Sequence, residues 1–375
     1  MSTKHFSTFL NLSKIPTTSF HENLVSDFIK NELNKIGIKF QVDIWGNIEA
    51  YIKGELPNEL VFISHMDHPG FEIVENIEKN IYKAKCLGGL PRYSEMNNTK
   101  VKTFNSENQI VGTILPSNDT KEKKSNFRWL DSQHVLIELD EKVNKFPTPV
   151  VFSLPDPIIS EDHLIVPVAD DLAGCALILE SLKILNKNKN KYSFRVIFSR
   201  AEEVGLYGAR LIAKSGRISK DSIIISVETS SELPGANSGD GPIIRTGDRI
   251  STFDNLGEII LLSSAKSLLK KDKNFKFQRQ LMSSGGCEAS AFLSFGYKVT
   301  GIALPLINWH NCNPEGNVES EKISILDYEN ALKIMTNLGK LDIVENKDYY
   351  NSLIEIPDDA YRLENKKNRR NNGSS

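Results

Sequence analysis

Three apolar runs in this chain lead directly into residues that can bind a metal ion or move a proton. LVFIS (60–64) runs into His65-Met66-Asp67, YSFRVIFS (192–199) into Arg200-Ala201-Glu202-Glu203, and SIIISV (222–227) into Glu228. His65 and Asp67, two apart at a strand end, project to the same face. A ligating histidine commonly gives its other ring N–H to a carboxylate or carbonyl, so the pair can supply a ligand and its orienter. A surface histidine beside a turn aspartate is the plainer alternative. Asp170-Asp171 stands where a loop meets a helix, and adjacent carboxylates repel unless a cation or a helix N-terminus compensates. There the alternative makes Asp171 an N-cap and Asp170 its solvated neighbour.

Glu202 and Glu203 are adjacent at a strand end and point in different directions. One can bind metal while the other stands free to move a proton. An acidic first turn for the helix near 206 is the competing reading. Glu228 closes an apolar run, where a buried carboxylate needs a partner. His310, in LPLINWHN, follows another such run, a setting where histidine is often a core residue. Taken together, two histidines and four or more carboxylates fall in chain order at the ends of successive strands. Mixed His/carboxylate ligation suits zinc or cobalt, and a bridging carboxylate suits a pair of ions.

The elements needed to position these residues are legible too. Ser19 to Ile36 reads as a helix, with Phe20, Leu24, Val25, Phe28, Ile29, Leu33 and Ile36 at helical spacing and Ser19-x-x-Glu22 as a capping box. Gly37 ends it. A hairpin, KFQVDI and IEAYIK, follows through Trp45-Gly46-Asn47. Helical stretches near 171–187 and 206–215 alternate with the apolar strands. That alternation predicts an α/β fold: a three-layer sandwich around a mixed, mostly parallel sheet. Ligands of such sheets sit at the carboxyl ends of the strands.

Residues 69–164 differ. Short extended runs (IYKAKCL, QIVGTILP, HVLIEL, PVVFSL), Gly and Pro punctuation and a polar loop at 118–125 predict an inserted β-rich domain. Residues 1–68 and 165–364 then form one discontinuous domain. The tail 365–375, NKKNRRNNGSS, reads as a solvated, disordered end.

The 375 residues suit one large domain with an insertion, or two domains. A formal net charge of −2 gives no global field for nucleic acid or an anionic membrane, so neither is expected as a partner. Cys86, Cys175, Cys287 and Cys312 are scattered and form no disulfide framework or zinc knuckle. With no secretory signal and no apolar stretch of about 18 residues, a cytoplasmic address is expected.

The ordered set His65-Met66-Asp67, Asp170-Asp171-x-Ala-Gly-Cys, Glu202-Glu203-Val-Gly-Leu-x-Gly-Ala, Gly285-Gly286 and His310 resembles the glutamyl aminopeptidase and tetrahedral-aminopeptidase family. These are co-catalytic metallopeptidases of the wider zinc-exopeptidase clan. The likeness runs from the Ser19 helix to a helix near 321–338 and includes the insertion after His-x-Asp. It implies two divalent ions per subunit, zinc or else cobalt. His65 and Glu228 would hold one ion, Glu203 and His310 the other, and Asp170 would bridge them. Glu202 would be the general base and Asp67 would orient His65. The Asp170–Asp171 peptide would be cis.

The expected activity is removal of N-terminal residues from short peptides, by a homo-oligomer whose inserted domain pairs subunits and screens the entrance. A same-clan dipeptidase or N-acyl-amino-acid deacylase is the alternative enzyme. A catalytically inactive scaffold is the alternative of another class, although every inferred ligand and the base are present. Five positions depart from the family pattern. His68 stands where Glu is usual, Leu172 where Arg is usual, Glu228 where Asp is common, and Cys287-Glu288 where Thr-Asp is common.

Overall fold

The computed structural model describes residues 6–104, 109–116, 133–342 and 350–363. The polar loop 118–125 and the tail 365–375 lie outside them. Among the described residues eleven strands form one large mixed sheet, and six more close into a barrel.

At the centre of the large sheet four strands run parallel, side by side: Ser193–Ser199, Glu59–His65, Ile223–Ser231 and Lys298–Ile307. Their alternating residues feed two different cores. Leu60 and Phe62 pack with Leu172–Leu185 and Ile325–Asn337, while Val61 and Ile63 pack with Ile197, Ala209 and Ile212 on the opposite face. Both faces are covered, so these strands read as continuous apolar runs. The hairpin Phe40–Val42 and Ile48–Ile52 adds antiparallel to Ser193–Ser199. Beyond Lys298–Ile307 lie Glu321–Ser324, His163–Val166 and Ile158–Ile159. Ile243–Asp248 and Gln278–Met282 branch from the same strand.

The barrel joins Gly70–Glu78, Ile81–Leu87, His134–Leu139, Val111–Ile114, Lys100–Thr103 and Thr148–Phe152, in that order around the ring. Alternate residues, among them Phe71, Ile73, Tyr82, Val101, Ile137 and Val150, fill its interior. All six strands fall within the expected 69–164 segment. The far limit differs, because Ile158–Ile159 and His163–Val166 pair with the large sheet.

The first long helix is shorter than its apolar stripe. It spans Asn23–Lys35, with Val25, Ile29 and Leu33 buried but Phe20 and Leu24 exposed. Glu22 is its N-cap residue, yet no side chain caps it. Phe20 has a positive φ of 73°, so the chain enters with the wrong geometry for a Ser19 cap. Gly37 ends the helix as expected, with φ 71°. The segment from 321 opens as a strand, Glu321–Ser324, before the helix Ile325–Asn337. No helix among the described residues is long and apolar enough to cross a membrane.

Candidate metal centre

Strand register brings the expected ligands to one level. Ser199 pairs with His65, and Ser226 pairs with Ile63. Two residues further along each strand, Glu228 stands level with His65 where direct pairing between their strands has stopped. Glu228 therefore lies inside its strand, which runs on to Ser231. After Ser199 the chain turns through Ala201 (φ 54°) and Leu206 (φ 60°), carrying Glu202 and Glu203 over the strand ends. After Ile307 it turns through Asn308, His310 and Asn311, all with φ between 57° and 59°. Both turns, which carry expected ligands, thus hold non-glycine residues in the left-handed region, where backbone strain tends to mark functional sites.

The side chains converge. His65 Nε2 lies 3.3 Å from Asp170 Oδ1. His310 Nε2 lies 3.4 Å from Asp170 Oδ2 and 3.3 Å from Glu203 Oε1. His65, Asp170 and Glu228 form one group of donor atoms within 4.8 Å of one another, and Asp170, Glu203 and His310 form a second. Asp170 belongs to both. Glu202 stands beside them, its Oε2 3.9 Å from His65 Nε2.

Backbone hydrogen bonds hold these positions. Asp67 accepts the Glu202 N–H at 3.0 Å and the Glu203 N–H at 3.1 Å, and Ser19 Oγ donates to it at 2.6 Å. His65 Nδ1 lies closer to the Asp67 carbonyl, at 3.0 Å, than to its carboxylate, at 3.6 Å. Glu22, fully buried, accepts from the Ala201 N–H at 3.0 Å and from Arg200 Nε at 2.8 Å. The residues that read as a helix cap are supports of the centre.

Asp171 accepts from Gly174 N–H, as an N-cap does, and from Ser64 Oγ. The Asp170–Asp171 peptide is cis.

Four contributors gave no signal in the sequence. Glu321 accepts the N–H groups of Asp170 at 3.0 Å and His310 at 2.8 Å, tying these two segments together. Trp309 Nε1 donates to Asp170 Oδ2 at 2.6 Å. Asn311 meets His68, whose other ring nitrogen faces the Asp170 carbonyl. The barrel contributes Gly88-Gly89: a Cβ on Gly89 would stand 2.8 Å from His310 Nδ1, and one on Gly88 3.1 Å from Glu203 Cβ. Only a residue without a side chain fits so near the ligands.

Charge sets the electrostatics. Burial pushes the Glu202 carboxyl well above the usual range against the pull of His65, and Glu203, Glu288 and Asp67 push the same way. Burial, with Glu288 and Asp171 nearby, does the same to Glu228. His65 and His310 move up instead: burial alone would depress them, but Glu202 and Asp170 around His65, and Glu203 and Asp170 around His310, outweigh it. Burial would raise Asp170, yet the two histidines hold it well below the ordinary range. So many buried carboxylates call for a cation. The donor atoms also fit one, since ligands about 2.0–2.1 Å from a tetrahedral ion stand about 3.3–3.4 Å apart.

A mixed sheet with His/carboxylate donors gathered at its carboxyl edge is the architecture of a metal-dependent peptide hydrolase. The chain belongs to the M42 glutamyl aminopeptidase family, whose sequence profile matches residues 46–333. It is 25% identical over 334 residues to a protein of Acetivibrio thermocellus provisionally named an aminopeptidase, covering 84% of this chain and 93% of that one. Its fold matches a TET aminopeptidase of a marine-sediment archaeon of the Thaumarchaeota (TM-score 0.76, 18% identity, 91% of this chain and 98% of that one). It also matches the TET1 peptidase of Pyrococcus horikoshii, which assembles into a tetrahedron or a large octahedral shell (TM-score 0.74, 20% identity, 89% and 99%).

Proposed function

We infer that the chain is a dinuclear metallo-aminopeptidase acting on short peptides, with His65 and Glu228 holding one ion, Glu203 and His310 the other, and Asp170 between them. The observation that carries this reading is the pair of donor groups that share Asp170. Zinc is the ion such a donor set favours, with cobalt a workable substitute. When bound, the ions would polarise the scissile carbonyl and make water more acidic.

The chain's own residues do the rest. Glu202 takes the proton from the attacking water and returns it to the leaving amine. Burial raises its proton affinity above that of an ordinary carboxylate, the direction a general base needs. Asp67, through the Glu202 and Glu203 N–H groups, fixes where the base and its neighbouring ligand stand. Asp67 also backs His65.

Metal content by plasma spectrometry, combined with hydrolysis of free and N-acetylated peptides, tests this directly. About two ions per chain and cleavage of free peptides alone are expected. Cleavage of the acetylated series with free peptides untouched would instead make the enzyme a deacylase.

The barrel, through Gly88-Gly89, walls the site, and this supports a role for it in screening the entrance and pairing subunits. Cytoplasmic peptides are the substrates this reading implies. Light scattering on the full chain at micromolar concentration should give an oligomer, and a strict monomer would end the assembly proposal while leaving the chemistry in place.

A further inference from the structure

Asp170 carries more on one oxygen than the ligand set asks of it. Its Oδ1 faces His65 Nε2 at 3.3 Å, and its Oδ2 faces His310 Nε2 at 3.4 Å. Oδ2 also accepts the Trp309 indole N–H at 2.6 Å. The backbone of Asp170 is already held, its N–H by Glu321 and its carbonyl by His68. Those ties leave the carboxyl plane loose, because the torsion that turns it is broad and soft. A restraint on that plane has to act on a carboxylate oxygen. The two histidines would turn their nitrogens to metal, whereas an indole N–H can only donate. Trp309 therefore restrains Asp170 without competing for an ion.

Consecutive side chains normally diverge, as on a strand, where they alternate between faces. Trp309 and His310 do not. Asn308, His310 and Asn311 stand at φ 59°, 57° and 57°, and both rings turn to the same oxygen, their centroids 4.1 Å apart. Such a backbone persists in non-glycine residues only where the surroundings over-determine it. What the strained turn secures here is two side chains from neighbouring positions on Asp170 Oδ2. The indole also lines the cavity of about 520 Å³ that opens over the centre. It thus borders both the space a peptide would enter and the carboxylate.

We propose that Trp309 is a positioning residue for the shared carboxylate. Its N–H occupies one acceptor position of Asp170 Oδ2, leaves the other for the ion held with Glu203 and His310, and so sets how tightly that ion is kept. This rests on the dinuclear reading of the site. A carboxylate oxygen offers two lone pairs, so the hydrogen bond and the ion are compatible. Without the N–H the carboxyl plane is free to turn, and the ion facing Oδ2 loses a fixed ligand. The other ion is less affected, because His65 and Glu228 hold it independently of the indole.

The experiment challenges the full-length, zinc-loaded enzyme with a competing chelator, wild type beside Trp309→Phe, which keeps an aromatic ring and lacks the N–H. One ion of the variant should be held about tenfold or more weakly, the usual cost of a lost support, while the other changes by less than about threefold. Turnover of the variant should recover as free zinc is raised. Replacing Trp309 by benzothienylalanine, which keeps both fused rings and puts sulfur where the N–H stood, should give the same split. It serves in place of the Phe variant should that one not fold. Of the three tryptophans, only Trp309 remains in Trp45→Phe/Trp129→Phe. In that background the indole fluorescence should follow the release step that Trp309→Phe weakens. Equal weakening of both ions, or no weakening of either, overturns the proposal and leaves the metal centre in place. A wild type that holds fewer than two ions removes the dinuclear reading, and the positioning role with it.

Discussion

The barrel and the carboxyl edge of the large sheet lie against each other yet handle charge in opposite ways. The barrel interior is filled by Phe71, Ile73, Tyr82, Ile137, Val150 and similar residues. At the sheet edge, Asp170, Asp171, Glu228, Glu288, His65 and His310 are all buried within one neighbourhood. The first region is stabilised by removing apolar surface from water, which any well-packed barrel achieves. The second gives up solvation that protein groups alone do not restore. The regions meet at Gly88-Gly89, where the barrel supplies bare backbone to a site whose chemistry lies entirely on the other side. A region can thus shape an active site without contributing one reactive group.

Three variants test that division, in order of expected effect. Glu202→Gln should lower kcat by at least about a hundredfold, the scale of a lost general base, while metal content stays near normal. Parallel loss of metal and turnover would make Glu202 a ligand. Gly89→Ala pushes a Cβ to within 2.8 Å of His310 Nδ1. It should weaken metal binding by about tenfold or more, the cost seen when a ligand's support is disturbed. Titration with zinc against a competing chelator measures this, and an unchanged affinity would separate the barrel from the site. Ser19→Ala removes the hydroxyl that donates to Asp67 at 2.6 Å. A loss of about fivefold to tenfold in kcat is expected, less than the full worth of a hydrogen bond to a charged group because the Glu202 and Glu203 N–H groups still hold Asp67. Helix content by circular dichroism should not change; if helix is lost and kcat is not, Ser19 is a cap after all.

Ser19 shows where sequence reasoning meets its limit. Ser-x-x-Glu before an apolar stripe offers a hydroxyl and a carboxylate that can accept backbone N–H groups. The pattern does not say whether those groups belong to the helix or, as here through Glu22, to Ala201 far along the chain. His65, Glu203, Glu228 and His310 draw notice because each follows an apolar run, and Asp170 because a second carboxylate adjoins it, while the ligand roles expected of them come from the family resemblance. Glu321 was not, since it works by gripping backbone N–H groups and sits in a stretch of ordinary surface charge. The parallel sheet followed from the alternation of elements. The far limit of the barrel did not, because His163–Val166 has the same short extended pattern as the barrel strands while joining a different sheet.

The donor groups are drawn from positions 65, 170, 203, 228 and 310, on strands and turns that come together only when the central parallel sheet closes. Closing such long loops is slow, and the contacts that reward it arrive late. A metal ion held by these groups would therefore be captured late in the folding of this chain. An ion that binds after the rate-limiting step leaves the folding rate alone and slows unfolding. The persistence of the folded enzyme, more than the speed at which it forms, would then be set by how long bound metal stays.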